Sequence, residues 1–290
     1  MPRADDILSS RIRRTEARGI LSKTAGFIAE AGFTHSLTPA RNCTYSCLYC
    51  YVPTMRFYAG LKRDDWERWG QHTTFKSNAA TLLRRQLRPY QIIYCSPLTD
   101  PYQPAERTEK AMLSILDALI AKPPQTFVIQ TRGPLIARDI DRLKALNRVT
   151  RLRVSFSLTT KREDVRRVYE PHCEPIGARL DTIRELRDAG VAVHATLAPV
   201  LPCDPEAFAD LALGSTEREL IGDPLHVRQV KRTGATTRQT AWALAEKRGE
   251  AEWFEPSFQE QVSAAIAARA AAVGRRFAVG PEGFSWLASD

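Results

Sequence analysis

Arg41-Asn-Cys-Thr-Tyr-Ser-Cys-Leu-Tyr-Cys-Tyr51 is the segment of this 290-residue chain that most restricts its fold and chemistry. Its cysteines, Cys43, Cys47 and Cys50, have the spacing C-x3-C-x2-C. Three thiolates can hold three irons of a [4Fe–4S] cluster, which leaves the fourth iron without a protein ligand. Structural metal sites normally close with four protein ligands, whereas an open position can bind and activate a small molecule. The spacing therefore favours a reactive cluster.

The same cysteines could instead form a structural zinc site, with His35 or His72 as the fourth ligand. Such sites usually combine two short motifs, and the sequence has neither a second C-x2-C nor an H-x3–5-H. A disulfide framework is less favoured still, because the first residues lack an apolar signal core. No stretch approaches the roughly 20 apolar residues of a membrane span. These features predict a cytoplasmic protein with reduced thiols and no membrane association.

The charge of the chain favours polyanionic partners. It has 42 lysines and arginines against 33 aspartates and glutamates, a net charge of +9. Nucleic acid is the obvious candidate, although a generally arginine-rich, solvated surface would give the same balance. Arg11, Arg13, Arg14 and Arg18 lie in an N-terminal arm without apolar periodicity. This arm could contact phosphate or be a solvated tail.

Short β-rich runs alternate with helical patterns, an order that predicts an α/β fold with a parallel sheet. The predicted strands are 33–38, 91–95, 126–131, 152–158, 191–197 and 225–230. Helices are predicted at 73–87, 105–120, 134–146 and 176–186, where apolar residues recur at three- and four-residue steps.

The C-terminal region predicts more helix. Ser257-x-x-Glu260 has the pattern of a capping box before an alanine-rich helix through Arg275, and Phe277 begins a possible final strand. We therefore divide the chain into a basic N-terminal arm (1–30), a barrel (31–235) and a helical extension (236–290) that packs on the same domain.

The cysteine spacing, with Tyr49 directly before the third cysteine, resembles the signature of radical S-adenosylmethionine (SAM) enzymes. The string Thr99-Asp-Pro-Tyr-Gln-Pro104 is similar to the spore photoproduct lyase-like branch of that family. Further matches cover most of residues 35–203. The resemblance implies a partial, open (β/α)6 TIM-like barrel, with functional groups at the carboxyl ends of the strands.

The resemblance also implies the chemistry. In the family, Cys43, Cys47 and Cys50 would hold a [4Fe–4S] cluster whose open iron chelates SAM. An electron, from a donor such as flavodoxin or ferredoxin, cleaves SAM into methionine and a 5′-deoxyadenosyl radical, which abstracts hydrogen from a substrate. The alternative from another class is a nucleic-acid-binding protein with a structural zinc or iron–sulfur site and no turnover.

Cofactor contacts follow from the same comparison. Asp100 stands where many members bind the SAM amino group, although Asp-Pro also favours a turn. Arg132 is similar to the residue that contacts the SAM carboxylate, where the family usually has lysine, and Ser157 is similar to the serine that completes the carboxylate or ribose contact. Tyr49 and Val200 are expected beside the adenine, and ordinary core burial is the alternative for Tyr49.

Spore photoproduct lyase reverses a thymine dimer and returns a hydrogen atom through a cysteine and nearby tyrosines. By this resemblance Cys95, Tyr49 and Tyr51 become the candidate catalytic residues. The context differs, because Ser-Pro-Leu-Thr separates Cys95 from Asp100, and a buried cysteine in a strand is often a packing residue. Cys173 and Cys203 could be surface thiols or auxiliary ligands.

Overall fold

The computed structural model describes residues 11–55, 59–225 and 239–289. The strands are β1 (Ile12–Thr15), β2 (Leu21–Lys23), β3 (His35–Leu37), β4 (Ala40–Arg41), β5 (Thr73–Lys76), β6 (Ile92–Cys95), β7 (Thr126–Thr131), β8 (Arg151–Ser157), β9 (Ala192–Leu197), β10 (Leu220–Gly222) and β11 (Phe277–Val279). The α-helices are α1 (Gly26–Glu30), α2 (Arg63–Glu67), α3 (Ala79–Gln86), α4 (Glu106–Glu109), α5 (Ala111–Ala121), α6 (Ile140–Asn147), α7 (Glu163–Tyr169), α8 (Ile176–Asp188), α9 (Pro205–Ser215), α10 (Gln239–Arg248), α11 (Pro256–Ala272) and α12 (Gly280–Ser289). Short 3-10 helices lie at Val52–Thr54, Pro134–Asp139 and Ala251–Phe254.

The main sheet has the order β11-β10-β9-β8-β7-β6-β3-β2. All neighbours from β3 to β11 pair in parallel, and β2 adds an antiparallel edge. Helices connect successive parallel strands, as βα units require. This is the predicted partial, open barrel, and it brings the carboxyl ends of its parallel strands to one rim.

Five of the six predicted barrel strands are confirmed to within two residues at each end. The sixth was expected at 225–230, but the strand in that part of the chain is Leu220–Gly222, and 226–230 lie outside the described residues. Leu220 and Ile221 are fully buried, and β10 pairs with both β9 and β11. The expected final strand is present as β11.

The two faces of the main sheet have different surroundings. Tyr94, Val128 and Ile221 form one buried cluster with Phe284 and Trp286 of α12, so α12 packs against this face of the sheet. Neighbouring residues of a strand point to opposite faces. Ile93 and Cys95 therefore face the other side, in the larger core that includes the apolar residues of α5.

A second sheet, β1-β5-β4, supports the segment that carries the cysteine motif. The prediction of a helix from residue 73 was wrong at its start, because Thr73–Lys76 is a strand and α3 begins at Ala79. Thr73, Thr74 and Phe75 are buried between β1 and β4, where β-branched and aromatic residues pack well.

The N-terminal arm is part of the fold from Arg11 onward. β1 and β2 join the two sheets, Arg13 binds Asp64, and Arg14 binds Glu109 at 2.6 Å. The charges of these two arginines are therefore paired with carboxylates of the same chain. Residues 1–10 lie outside the described residues.

The C-terminal extension also packs on the barrel, while the proposed boundary at 235 falls outside the described residues. The predicted capping box is wrong, because α11 begins at Pro256 and Ser257 lies inside its first turn. Proline is favoured at the first helical position, since its fixed φ suits the helix and no N–H is needed there. Across the described ranges, no helix is both long and apolar enough to cross a membrane.

Candidate active site

The three motif cysteines lie on a loop directly after β4, which we name the cysteine loop (residues 42–50). Cys43 and Cys47 are buried, and Cys50 is half-buried. The loop turns tightly twice, because Ser46 N donates to the Cys43 carbonyl at 3.2 Å and Cys50 N donates to the Cys47 carbonyl at 3.0 Å. The fold thus gathers the three thiols on one compact, largely buried loop.

Asn42 fixes the start of this loop. Its Oδ1 accepts hydrogen bonds from Cys43 N (2.7 Å) and Gly70 N (2.8 Å). Its Nδ2 donates to the carbonyls of Asp65 (3.1 Å) and Arg68 (3.0 Å). The side chain is fully buried, so these bonds replace water at every polar atom of the amide. Asn42 therefore locks Cys43 against the segment that precedes β5.

Gln103 holds the same loop from the other side. Its Oε1 accepts from Thr44 N (2.7 Å), Thr44 Oγ1 (3.0 Å) and Thr73 Oγ1 (2.7 Å), and its Nε2 donates to the Asn42 carbonyl (3.4 Å). Gln103 belongs to the string Thr99-Asp-Pro-Tyr-Gln-Pro104. Part of the function of that string is thus to anchor the cysteine loop.

Asp100, in the same string, ties the loop after β6 to the end of β7. Its carboxylate accepts from Tyr102 N (2.8 Å), Thr131 Oγ1 (2.6 Å) and Arg132 N (2.8 Å). Burial raises the pKa of Asp100, and these hydrogen bonds oppose the increase. A carboxylate offers about four acceptor positions, so three are already used within the protein. One acceptor position of Asp100 is therefore left for the predicted hydrogen bond from the SAM amino group.

Glu170 is the centre of a buried charged network beside the cysteine loop. Its Oε1 accepts from Tyr49 Oη (2.5 Å), Thr159 Oγ1 (2.9 Å) and Arg132 Nη1 (2.5 Å), and its Oε2 accepts from Arg179 Nη2 (2.5 Å). Burial alone would raise the pKa of Glu170, but Arg179 and Arg132 outweigh it and hold the pKa at about 2. Two guanidinium groups thus surround one carboxylate.

The same network reaches the cysteine loop through Arg132. Its Nη1 donates to Cys47 Sγ at 3.5 Å and to the Tyr49 hydroxyl. Its guanidinium carbon lies 5.6 Å from the centre of the Tyr49 ring. The two arginines of this network outnumber its one carboxylate, and Arg132 places positive charge next to the Cys47 sulfur. This charge favours the thiolate form of Cys47.

The predicted catalytic residues have separate environments. Tyr49 is tied to the Glu170 network, whereas the Tyr51 hydroxyl donates to the Pro97 carbonyl at 3.1 Å. Burial raises the pKa of Tyr51, as do the nearby Cys50 and Asp223. Cys95 is fully buried at the carboxyl end of β6, in the core cluster that contains the apolar residues of α5 and also Cys43, Cys47 and Tyr49. Its catalytic role stays a prediction.

The two remaining predicted cofactor contacts lie near the barrel rim. Ser157 is buried at the end of β8, paired in register with Thr196 of β9. Val200 is buried after β9, and its N–H donates to the Asp223 carbonyl at 3.1 Å. Both positions follow neighbouring strands, as expected for residues that share one site at the rim.

The two histidines that could complete a zinc site with the motif cysteines are hydrogen-bonded to other side chains. His72 Nε2 lies 3.3 Å from Asp65 Oδ1, and His35 Nδ1 lies 2.9 Å from Thr34 Oγ1. Within residues 11–55, 59–225 and 239–289, no three His, Cys, Asp or Glu side chains are placed to hold one metal ion. A zinc ion needs such convergence, with Zn–S distances of about 2.3 Å. An iron–sulfur cluster needs converging thiolates as well, and the cysteine loop supplies the three thiols that such a cluster uses.

Sequence reasoning missed two residues of this site, Asn42 and Gln103, and it named Cys173, which is buried, only as a surface thiol or an auxiliary ligand. Gln103 was within a string already recognised as distinctive, and Asn42 directly precedes the first motif cysteine. Nothing in the sequence indicates that Cys173 contacts Cys47, because the two residues are 126 positions apart.

Comparison with known proteins agrees with this geometry. Residues 37–212, more than half of the chain, match the sequence model of the Radical SAM superfamily. The chain belongs to this family. The matched region contains the cysteine loop and every predicted site residue.

Two sequence relatives are similar to about half of the chain. The chain is 29% identical over 175 residues to an uncharacterised protein of Mycobacterium tuberculosis, an alignment that covers 59% of this chain and 50% of the relative. It is 25% identical over 160 residues to an uncharacterised protein of Methanocaldococcus jannaschii, with 55% and 58% covered. The chain thus matches only about half the length of these relatives.

Solved structures with a similar fold include spore photoproduct lyase. A tyrosine-to-phenylalanine variant of that enzyme gives a TM-score of 0.63 at 11% identity, covering 94% of this chain and 82% of the other. Spore photoproduct lyase complexed with dinucleoside spore photoproduct gives a TM-score of 0.56 at 14% identity, covering 86% and 81%. Likeness at this identity shows a shared fold.

Proposed function

We propose that this chain is a radical SAM enzyme in which Cys43, Cys47 and Cys50 hold a [4Fe–4S] cluster. The observation that carries the proposal is the cysteine loop itself, clamped by Asn42 and Gln103 and contacted at Cys47 by Arg132. When bound, the cluster and SAM together supply a 5′-deoxyadenosyl radical that removes a hydrogen atom from a substrate. The chain's part is to hold these groups, to exclude water and to position the substrate.

Five residues are proposed to hold SAM at the rim: Asp100 for the amino group, Arg132 and Ser157 for the carboxylate, and Tyr49 and Val200 for the adenine. Asp100 and Arg132 are joined directly, since Arg132 N donates to Asp100 Oδ2. Arg132 also has a buried carboxylate partner in Glu170, which fixes its guanidinium before any ligand binds. Preorganised charge of this kind lowers the cost of binding an anionic group.

We propose Tyr51 as the residue that returns a hydrogen atom to the substrate radical. Its phenol carries an O–H that donates to the Pro97 carbonyl. Transfer of that hydrogen atom forms a C–H bond of the substrate and leaves a Tyr51 phenoxyl radical. One electron from an external reductant and one proton, delivered directly or through Tyr49, then restore the phenol. Cys95, buried at the carboxyl end of β6, is the second candidate.

The proposed substrate is a nucleic acid, and the proposed reaction is a lyase-type DNA repair step. The net charge of +9 favours a polyanion, and a solved structure with the same fold binds a dinucleoside photoproduct. An electron donor such as flavodoxin or ferredoxin would reduce the cluster.

Anaerobic reconstitution tests the proposal. Protein incubated with iron and sulfide should show a [4Fe–4S] spectrum and convert SAM to methionine and 5′-deoxyadenosine under a strong reductant. The matched control replaces Cys43, Cys47 and Cys50 with alanine but retains Cys95, Cys173 and Cys203, and it should form no cluster. Binding of about one zinc and no iron by the wild type would instead support the nucleic-acid-binding alternative.

A further inference from the structure

Cys173 lies against a motif cysteine. Its Sγ is 3.8 Å from Cys47 Sγ, and both side chains are buried. Cys173 thus stands within hydrogen-bonding reach of a sulfur that the proposed function assigns to iron.

The backbone holds this contact in place. Leu48 N donates to the Tyr169 carbonyl at 2.9 Å, which joins the cysteine loop to the end of α7. Arg166 Nη1 donates to the Cys173 carbonyl at 2.6 Å and to the Glu170 carbonyl at 3.1 Å. The turn at 170–173 is therefore fixed on both sides, and Cys173 is presented to Cys47 by the fold.

The direction of the hydrogen bond follows from ligation. A cysteine that binds iron does so as a thiolate, so its sulfur carries no proton and can only accept. The hydrogen between the two sulfurs must then belong to Cys173. Arg132 Nη1, 3.5 Å from the same sulfur, is a second donor. The sulfur of an iron-bound Cys47 would thus accept hydrogen bonds from two side chains, Cys173 and Arg132.

We propose that Cys173 is a positioning residue that donates its S–H to the Cys47 ligand and, with Arg132, makes the bound cluster easier to reduce. Reduction adds negative charge to the cluster and its thiolates, and hydrogen bonds to ligand sulfurs stabilise the more negative state. The inference rests on the proposed function, because it requires a cluster at Cys47.

The test is a redox titration of the anaerobically reconstituted protein, followed by electron paramagnetic resonance of the reduced cluster. Cys173→Ala and Cys173→Val both remove the donor and should shift the midpoint to more negative potential. Cys173→Ser retains an O–H donor, so its midpoint potential should lie between that of the wild type and those of Cys173→Ala and Cys173→Val. Cys203→Ala, at a half-buried cysteine elsewhere, is the matched control and should leave the midpoint unchanged.

Each outcome has a distinct meaning. Wild type that takes up no [4Fe–4S] cluster would contradict the proposed function itself. A loaded wild type and a loaded Cys173→Ala or Cys173→Val with the same midpoint would overturn only the role of Cys173. Failure of all three variants, Cys173→Ser included, to take up the cluster would also overturn it, because a retained donor would then not restore the site and Cys173 would be needed for packing.

Discussion

At the scale of single residues, Glu170 shows how this site handles buried charge. A carboxylate with no solvent exposure is costly unless it is paired, and here it meets two arginines, a tyrosine and a threonine. Because Arg132 also contacts Cys47, the ion network and the cysteine loop form one unit.

Glu170→Gln should destabilise the protein by about 3–5 kcal/mol at pH 7, since it leaves two buried guanidinium groups without their shared carboxylate. The folded pKa of about 2 lies below the ordinary 4.5. The stabilisation from ionised Glu170 is therefore fully present above pH 4.5 and lost as the pH falls toward 2.

Urea unfolding of wild type and Glu170→Gln at several pH values checks both statements. The variant should lose less stability than the wild type in the acid range. The matched control is Asp117→Asn, which breaks a half-exposed ion pair with Arg142 and should cost about 1 kcal/mol or less. Equal costs for the two variants would contradict the central role of Glu170.

Cys95→Ala should cost roughly 1–2 kcal/mol of stability, as ordinary core substitutions do. It should not alter the product, because the proposed hydrogen donor is Tyr51 and Cys95 is fully buried. Tyr51→Phe, which removes the proposed donor, should give misquenched products with little loss of stability. Product analysis with a dinucleoside spore photoproduct distinguishes the two, and trapped products in Cys95→Ala would restore the thiol as donor.

At the scale of elements, the loop after β6 acts as a brace for the cysteine loop. Its Asp100 reaches the end of β7, and its Gln103 reaches Thr44 and β5. Thr73 is the first residue of strand β5, and its hydroxyl donates to Gln103 Oε1. The contact therefore depends on β5 being a strand of the small sheet.

Gln103→Met should accelerate cluster loss several-fold, because it removes three accepted hydrogen bonds and leaves Thr44 N buried without a partner, at about 1–3 kcal/mol. The measurement is anaerobic removal of iron by a ferrous chelator. Gln91→Met is the matched control, since Gln91 is an equally buried carboxamide bonded at both atoms within the turn before β6. Equal rates of iron loss in the two variants would remove Gln103 from the site.

At the scale of the whole molecule, the excess positive charge is partly neutralised within the fold. Arg13 and Arg14 of the N-terminal arm bind Asp64 and Glu109, so the arm is a poorer phosphate site than its sequence indicated. Asp64 and Glu109 would thus compete with a phosphate for Arg13 and Arg14.

Nucleic-acid binding should weaken steeply with salt, since neutralised phosphates release counterions. Fluorescence anisotropy with a labelled single strand and a duplex, from about 50 to 200 mM salt, measures the slope. Arg13→Gln should leave that slope almost unchanged because Arg13 is already paired. Salt-insensitive binding, or no binding at low salt, would direct attention to protein or small-molecule substrates.

The sequence by itself determined the cysteine motif, the order of βα units and the family. Ligand spacing and apolar periodicity are local properties, so they can be read directly from neighbouring residues. The strand at Thr73–Lys76 was the exception, because its pairing with β1 and β4 overrode a pattern that favoured helix.

Only the tertiary structure decided which face Cys95 occupies and which residues surround Cys47. β6 reads Ile-Ile-Tyr-Cys, apolar at nearly every position, because a parallel strand is buried on both faces and shows no alternation that marks the inner one. Cys173 meets Cys47 across 126 residues, and Gln103 meets Thr44 across 59. Such contacts depend on how the sheet curves and where the loops return, since neither spacing nor composition records distance in space.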